Sequence, residues 1–184
     1  FLLFWPEPHP HKLDLGAFAQ DQLALVEDAL SLTVGSKFER NDYTGFEAQP
    51  RASLLWTPTH RHSVWAAVSR AVRTPNLVED QIRLRLIPTG AGAVFPRATG
   101  DKGLNSEELL AYELGARAQA TPTLSTDAAL FYNVYRRLRV TRTGAAQAGP
   151  SGTVFVPLMG DNGMEGDAFG GQEVAPSGEL GARG

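Results

Sequence analysis

The chain contains tracts of about ten residues in which apolar and polar side chains alternate, and this period of two constrains the fold more than any other feature. In the second tract Leu30, Leu32 and Val34 share one face, while Ser31 and Thr33 share the other. Ten residues is about the length that a tilted transmembrane β-strand needs. We predict six β-strands from such tracts: Leu13 to Leu25, Leu30 to Glu39, Pro50 to Trp56, His62 to Val72, Glu108 to Ala120 and Thr126 to Val140.

Two kinds of connection separate the tracts and alternate along the chain. The short ones are rich in the Asp, Thr and Pro that favour tight turns, and they are Val26 to Ala29, Thr57 to His60 and Thr121 to Thr123. The long ones are polar or rich in Gly, Ala and Pro, and they are Arg40 to Gln49, Thr74 to Ser106 and Thr143 to Asp167. This order predicts an all-β antiparallel meander that forms a partial transmembrane β-barrel, with short turns at one end and long loops at the other.

Composition is compatible with this fold and excludes several classes of function. Hydrophobic residues make up 42% of the chain, a value that soluble proteins share with barrel walls. A net charge of -3 offers no basic surface for nucleic acid. Without cysteine there can be no disulfide and no thiolate ligand or nucleophile. The longest apolar run, Phe1 to Trp5, is too short for a membrane helix and lacks the features of a signal peptide. Because the sequence begins without Met and stops in a Gly-rich stretch, we expect a fragment.

Catalytic and metal chemistry has no clear carrier in the sequence. Glu107 and Glu108 are adjacent acids that a strand would direct to opposite faces. The His-x-His pairs, at His9 and at His60, stand without a grouped carboxylate that could complete a metal site. The acidic stretch Gly160 to Asp167 does not have the spacing of a calcium-binding EF-hand loop. We therefore expect no enzyme activity, no cofactor and no metal.

Five motifs, in order, resemble those of the TonB-dependent receptors of Gram-negative outer membranes. One of them is a strand that ends in a Ser-x-Ala-x-Arg-x-Pro pattern at Pro75, and another has a Tyr-Glu-x-Gly pattern from Tyr112. Phe169 and Gly171 depart from the last motif, and the added glycine predicts a bulge in that strand. The matching stretches are Gly16 to Asp21, Ser63 to Pro75, Leu104 to Arg117, Asp127 to Tyr135 and Asn162 to Glu173.

The resemblance implies a transport protein in the outer membrane of a Gram-negative bacterium. The family builds a barrel of about 22 strands around a plug domain, so residues 1–184 would be a fragment of a single barrel domain without the plug. A ferric siderophore is the ligand that the family most commonly imports, and cobalamin, haem and glycans are alternatives. The implied partners are the TonB complex, reached through the absent plug, and the lipid of the outer membrane.

Several arginines are candidates for binding within this family assignment. Arg70 and Arg73 could contact an anionic ligand, or could instead pair with acidic neighbours in the wall such as Glu79, Glu107 or Glu113. A basic run at the end of the sixth tract could hold the phosphates of lipopolysaccharide, with Arg137 and Arg139 as the expected contacts. The run consists of Arg136, Arg137, Arg139 and Arg142.

Two other classes of protein share parts of this pattern. A non-energised outer-membrane barrel, such as a porin or a barrel enzyme, would have the same strands and loops without the ordered motifs. A soluble β-rich binding module would use the apolar faces as the core of a sandwich. The long loops rich in Gly and Pro argue against the soluble module, since compact domains seldom contain such loops.

Overall fold

The structure is one large β-sheet. The computed structural model describes residues 2–4, 13–76, 79, 83–86, 94–99, 101, 103–121, 124–149, 152 and 154–174, and most of these lie in strands. In chain order the strands are β1 (Leu2–Phe4), β2 (Asp14–Val26), β3 (Leu30–Asn41), β4 (Gly45–Thr59), β5 (His62–Arg73), β6 (Arg83–Leu86), β7 (Val94–Thr99), β8 (Glu107–Thr121), β9 (Leu124–Thr143), β10 (Gln147–Ala148) and β11 (Val154–Val174).

All six predicted strands are confirmed as β2, β3, β4, β5, β8 and β9, and most extend beyond the predicted ends. The sheet order is β1-β6-β7-β11-β9-β8-β5-β4-β3-β2, with β10 paired to β11. Its strands pair antiparallel except for β7 and β11, which are parallel. The predicted meander is therefore confirmed from β2 to β5 and from β8 through β9 to β11. The parallel pair arises because residues 74–106 leave the meander, form β6 and β7, and return to β8.

The sheet is open in the part of the chain that the structure describes. β1 and β2 lie at the two ends of the strand order and do not pair with each other there. Described apolar side chains that are buried are few, namely Leu104, Ala111 and Phe155. No helix in the described ranges is both long enough and apolar enough to cross a membrane. The fold is thus a partial barrel wall that has almost no core of its own.

The predicted long loop from Arg40 to Gln49 is wrong. β3 continues to Asn41 and β4 begins at Gly45, so a tight turn joins them. The Asn41 Oδ1 accepts hydrogen bonds from the backbone N–H groups of Tyr43 at 2.9 Å and Thr44 at 2.8 Å. Gly45 adopts a φ of 80°, which glycine tolerates without strain. The polar residues that suggested a loop include strand positions on the polar face.

The predicted long loop from Thr143 to Asp167 is wrong in its second half. β11 begins at Val154 and pairs with β9 along most of its length, although it is rich in glycine. The backbone hydrogen bonds that β9 provides outweigh the weak strand propensity of glycine. The bulge predicted for this strand is confirmed, but it does not lie at the added glycine, because Gly170 and Gly171 pair regularly with β9. The register of β11 shifts instead between Asp161 and Gly166.

The short turns are confirmed where the structure describes them. Residues 27–29 form one turn, and the second is shifted towards the C-terminus, to His60 and Arg61, because β4 continues through Thr57 and Pro58 to Thr59. Pro122 and Thr123 of the third lie outside the described residues, but Thr121 pairs with Leu124 across them. These turns define the short-turn end of the sheet, and the connections 74–106 and 144–153 define its loop end.

The sheet has two chemically different faces. Cross-strand pairing places Leu32 of β3 opposite Leu54 of β4, and Leu114 of β8 opposite Leu130 of β9. The apolar face further includes Leu30, Val34, Phe38, Phe46, Ala52, Trp56, Val64, Ala66, Val68, Leu110, Tyr112, Ala116, Tyr132 and Val134. The polar face includes Ser31, Thr33, Lys37, Glu39, Arg51, Ser53, Ser63, Ser69, Arg73, Glu107, Glu113, Arg117, Asp127 and Asn133.

Aromatic side chains on the polar face cover glycines of neighbouring strands. Trp65 of β5 lies directly opposite Gly115 of β8, and Phe131 of β9 lies opposite Gly170 of β11. A Cβ atom built at Gly115 would overlap the ring of Trp65, and one built at Gly170 would lie 2.5 Å from the ring of Phe131. These glycines therefore let the rings lie against the backbone, an arrangement that fixes register in β-sheets.

Candidate functional site

Arginines and glutamates form two networks at the loop end of the sheet. The first, which we call the apolar-face network, is centred on Glu108, at the start of β8. Its carboxylate lies 2.6 Å from Nε of Arg70 and 2.9 Å from Nη2 of Arg137. Arg70 also lies 3.6 Å from the carboxylate of Glu47 and donates to the carbonyl of Ala48. One carboxylate therefore holds two guanidinium groups.

The second group, the polar-face network, joins two arginines through two glutamates. Arg73 contacts the carboxylate of Glu107 and lies 3.2 Å from that of Glu79. Arg139 forms an ion pair with Glu79, and its backbone N–H donates to Glu107 at 2.8 Å. Glu79 stands within the connection 74–106, so the network ties that connection to β5, β8 and β9.

The register of β5 and β8 places the central ion pairs of the two networks on opposite faces, although Glu47 of the first network pairs with Glu39 and so alternates onto the polar face. Arg73 is directly opposite Glu107, whereas Arg70 is opposite Leu110. Because side chains of a strand alternate, Arg70 and Glu108 belong to the apolar face, and Arg73 and Glu107 belong to the polar face. The expectation that Glu107 and Glu108 point to opposite sides is thus confirmed.

The four predicted binding residues differ in exposure. The Arg73 side chain is 54% exposed and that of Arg139 only 10%. Arg137 and Arg70 lie between these values, at 43% and 25%. All four are paired with carboxylates, so an anion would have to compete with a glutamate at each of them. Arg73 is the most accessible of the four, and contact with ligand or lipopolysaccharide stays a prediction for all of them.

Residues that the sequence did not single out hold the chain where it enters β8. Ser106 is 2% exposed, and its hydroxyl donates to Glu47 at 2.6 Å, with the hydroxyl oxygen of Thr44 3.1 Å away. Asn105 is bound through its backbone to the side-chain amide of Asn162. The partners of Ser106 and Asn105 include Glu47 and Asn162, which are residue types common in loops. No local sequence signal therefore identifies these contacts.

Protonation of Glu79 would weaken the ion pairs that hold the connection 74–106 against the sheet. Partial burial would raise the pKa of its carboxyl, but the hydrogen bonds from Arg139, from the backbone of Asn76 and from Arg73 outweigh burial and lower the pKa. A carboxyl whose folded pKa is lowered stabilises the fold at pH values above its unfolded pKa, and this contribution is lost as pH falls through the folded pKa.

We expect Glu79→Gln to reduce the acid sensitivity of the loop end. Amide hydrogen exchange of the backbone around Asn76 and Arg139 should rise as pH falls below about 4.5 in the unmodified protein, the ordinary carboxyl range, once exchange rates are corrected for intrinsic pH dependence. In Glu79→Gln the exchange should be faster at neutral pH and should change less on acidification. Glu165→Gln, at an exposed position of β11, is the control. An unchanged pH response in Glu79→Gln would contradict the assignment.

The remaining candidates do not assemble into a metal site. His62 Nδ1 lies 2.8 Å from the hydroxyl of Thr59 at the second short turn, and His60 is exposed. His9 and His11 lie outside the described residues. Among the residues that the structure describes, no three His, Cys, Asp or Glu side chains are grouped so as to hold a metal ion. The acidic stretch from Gly160 to Asp167 is part of β11 rather than a loop.

A cleft of about 730 Å³ lies at the short-turn end, away from both arginine networks. It is lined by turn residues of several hairpins and by exposed ends of β8 and β9, including Asp28, His60, Arg61, Arg117 and Gln119. Arg117 is already paired with Asp127 across the strands. The cleft is bordered by turns that connect strands, and its charged lining residues are Glu27, Asp28, Arg61 and Arg117.

The sequence matches one protein-family model over residues 7–173. That model describes the β-barrel of TonB-dependent receptor-like proteins. The match includes all six strands predicted from the alternating tracts and both arginine networks. No curated protein matches the chain significantly.

Solved structures of siderophore receptors share the fold. A mutant of the ferric enterobactin receptor PfeA from Pseudomonas aeruginosa, in complex with enterobactin, is 21% identical with a TM-score of 0.74, over 88% of this chain and 24% of that one. The siderophore receptor PirA from Acinetobacter baumannii is 18% identical with a TM-score of 0.70, over 92% and 26%. PirA from Pseudomonas aeruginosa is 19% identical with a TM-score of 0.72, over 88% and 30%. The chain therefore spans about a quarter of the length of these receptors.

Proposed function

The chain belongs to the TonB-dependent receptor β-barrel family, and from this premise we propose that it forms part of the wall of an outer-membrane receptor that imports a ferric siderophore. The observation that carries the proposal is the exposed apolar face, which continues across β3, β4, β5, β8 and β9. Leu54, Leu114 and Leu130 are 39%, 51% and 50% exposed on it. A soluble sandwich would cover such a face, whereas a bilayer is its natural solvent.

Strand length supports a membrane-spanning wall. The strands of the meander contain from 12 residues in β3 and β5 to 21 in β11, against the roughly 9–11 that a tilted strand needs to cross the hydrocarbon core. The excess residues would stand outside the bilayer at the loop end, as in outer-membrane barrels with long extracellular strands and loops. In this orientation the short-turn end faces the periplasm.

We propose different tasks for the two networks from the faces that they occupy. The polar face of a receptor barrel faces the lumen, so Arg73 is the preferred contact for an anionic ferric siderophore, and the opposite face makes Arg70 a weaker candidate. Arg137 stands above the apolar band, where it could bind the phosphate groups of lipopolysaccharide. Arg139, predicted for the same role, is enclosed beside Glu79. Energy for import would come from the TonB complex acting through a plug domain of the complete receptor.

A binding and uptake experiment tests this function. The complete receptor in outer-membrane vesicles should bind ferric enterobactin, used as the probe, and cells that carry it should accumulate the iron only while the inner-membrane proton gradient is intact. Passive entry that continues after the gradient is dissipated would favour the porin alternative. Absence of both binding and uptake for a panel of ferric siderophores would overturn the ligand class.

We expect Arg73→Gln to weaken binding of ferric enterobactin about tenfold, the effect of losing roughly one charge-assisted hydrogen bond. Glutamine keeps the length and polarity of the side chain but removes the charge that would meet the anionic ligand. Arg117→Gln is the matched control, because Arg117 is also an exposed arginine paired with an acid on the polar face, but at the short-turn end. Equal losses in the two variants would show a nonspecific effect of charge.

A further inference from the structure

The pairing of β9 with β11 contains two irregularities that cancel each other. The paired positions around them are Asp161 with Val140, Met164 with Leu138, and Gly166 with Tyr135. The residues between these pairs are Asn162 and Gly163 opposite Arg139, and then Glu165 opposite Arg136 and Arg137. Each strand thus bulges once, and the two strands resume their original register beyond the second bulge. Bulges redirect side chains, and they are common beside functional sites.

The paired bulges separate two arginines that an unbroken strand would keep together. Arg137 and Arg139 are two positions apart, so regular alternation would place both on one face. Instead Arg137 reaches Glu108 in the apolar-face network, and Arg139 reaches Glu79 in the polar-face network. Arg137 has a φ of 55°, a left-handed conformation that is uncommon for residues other than glycine. Its conformation therefore needs support from neighbouring groups.

The side chain of Asn162 supplies that support. Its amide nitrogen donates to the carbonyl of Arg137 at 2.7 Å and lies 3.2 Å from the carbonyl of Asn105. Its amide oxygen accepts from the backbone N–H of Asn105 at 2.8 Å. The amide side chain of asparagine can donate and accept at the same time, whereas an ionised aspartate at the same position could not donate. One side chain thus connects the first bulge, the left-handed residue of the second and the chain entering β8.

We propose that Asn162 is a positioning residue whose amide maintains the paired bulges and so assigns Arg137 and Arg139 to opposite faces of the barrel wall. Its effect on ligand binding rests on the function proposed above. Arg139 shares Glu79 and Glu107 with Arg73, so its presence on the polar face reduces the hold of these carboxylates on Arg73. If Arg139 left that face, Arg73 would be the one arginine of this network left to neutralise both carboxylates. An anionic ligand would then compete less well with Glu79 and Glu107 for Arg73.

Spin labels on single cysteines test the positioning directly and need no ligand. The chain contains no cysteine, so Arg137→Cys and Arg139→Cys can each carry one label in the complete receptor, freed of any other thiol and reconstituted in vesicles. Collision with a nickel chelate anchored to lipid headgroups reports the lipid side at the membrane surface, where Arg137 stands, and its ratio to collision with a water-soluble nickel chelate is low for a label that faces the lumen. We expect the two labels to differ in this ratio, and the difference to disappear in Asn162→Ala and Asn162→Asp backgrounds.

Two Asn162 variants are used so that the test still stands if one of them fails to fold. The control is Asn133→Asp, a polar-face change elsewhere on β9. With native arginines, Asn162→Asp should also weaken binding of ferric enterobactin by about fivefold or more. Labels that keep their different ratios in both Asn162 variants would overturn the proposal. A receptor that binds no ferric enterobactin at all would overturn the proposed ligand and leave the label result intact as evidence on the bulges.

Discussion

Leu114→Arg is expected to destabilise the folded protein in a bilayer by about 2–4 kcal/mol, the cost of an arginine on the lipid face near the membrane midplane. Leu114 is at the centre of β8 and 51% exposed on the apolar face, between Ala66 of β5 and Leu130 of β9. Among the described residues of β5, β8 and β9, the positions next to Leu114 on this face are the uncharged Ala66, Tyr112, Ala116 and Leu130. Urea titration of the receptor folded in lipid vesicles would measure the loss.

Glu113→Arg is the matched control for this variant. Glu113 is the preceding residue and therefore lies on the polar face, opposite Ala67 and Phe131. Its replacement introduces the same side chain at the same depth but into a water-accessible environment, so its cost should be well below that of Leu114→Arg. A similar cost for both variants would contradict the assignment of the apolar face to lipid, and a tolerated arginine at position 114 would favour a soluble fold.

Gly115→Ala is expected to cost about 1–3 kcal/mol, the usual penalty for inserting an atom into a closely packed contact. The added methyl group would overlap the ring of Trp65, which lies against the backbone of Gly115. Trp65 is directly opposite Gly115 in the register, so the overlap can be relieved only by moving the ring or the backbone. Thermal unfolding followed by the shift of the folded barrel on electrophoresis, together with tryptophan fluorescence, would report both the stability and the displacement of the ring.

Two further variants isolate the cause of the Gly115→Ala effect. Gly166→Ala makes the same change in β11 at a position where the new Cβ meets nothing within 4 Å, so its effect should stay within about 0.5 kcal/mol. The double variant Trp65→Ala with Gly115→Ala should lose less stability than the sum of its parts, because removal of the ring removes the overlap. Additive losses would show that backbone propensity, rather than the ring, explains the need for glycine.

The two arginine networks also explain how one wall can meet two different surroundings at its loop end. Arg70 and Glu108 belong to the face that continues into Val68 and Leu110, while Arg73 and Glu107 belong to the face that continues into Ser69 and Glu113. Desolvated charges are tolerated when they are paired, and a network of such pairs fixes geometry more than it adds stability. The partly buried pairs hold the guanidinium groups in place, and the most exposed of these groups are Arg73 on the polar face and Arg137 in the apolar-face network.

The sequence by itself determined the strands and their two faces. Alternation is local, so Leu30, Leu32 and Val34 indicated an apolar face without knowledge of any partner strand, and the same held for β8 and β9. The tight turn at Asp28 followed from residue types that favour turns, while the second turn lies at the C-terminal end of its predicted range, at His60 and Arg61. Glycine and polar content misled the prediction at Asn41 and from Val154 onwards, because a side chain that closes a turn and a neighbour that completes a backbone ladder are properties of the folded chain.

Only the tertiary structure decided how the arginines are distributed. In the sequence Arg137 and Arg139 are members of one basic run, and a period of two puts them on one face. The opposed bulges in β9 and β11 separate them, and these bulges depend on an amide of Asn162 that is distant in sequence from both Arg137 and Asn105. Periodicity fixes which way a side chain points within an unbroken strand, whereas breaks in a strand are set by its partners, and no single strand contains that information.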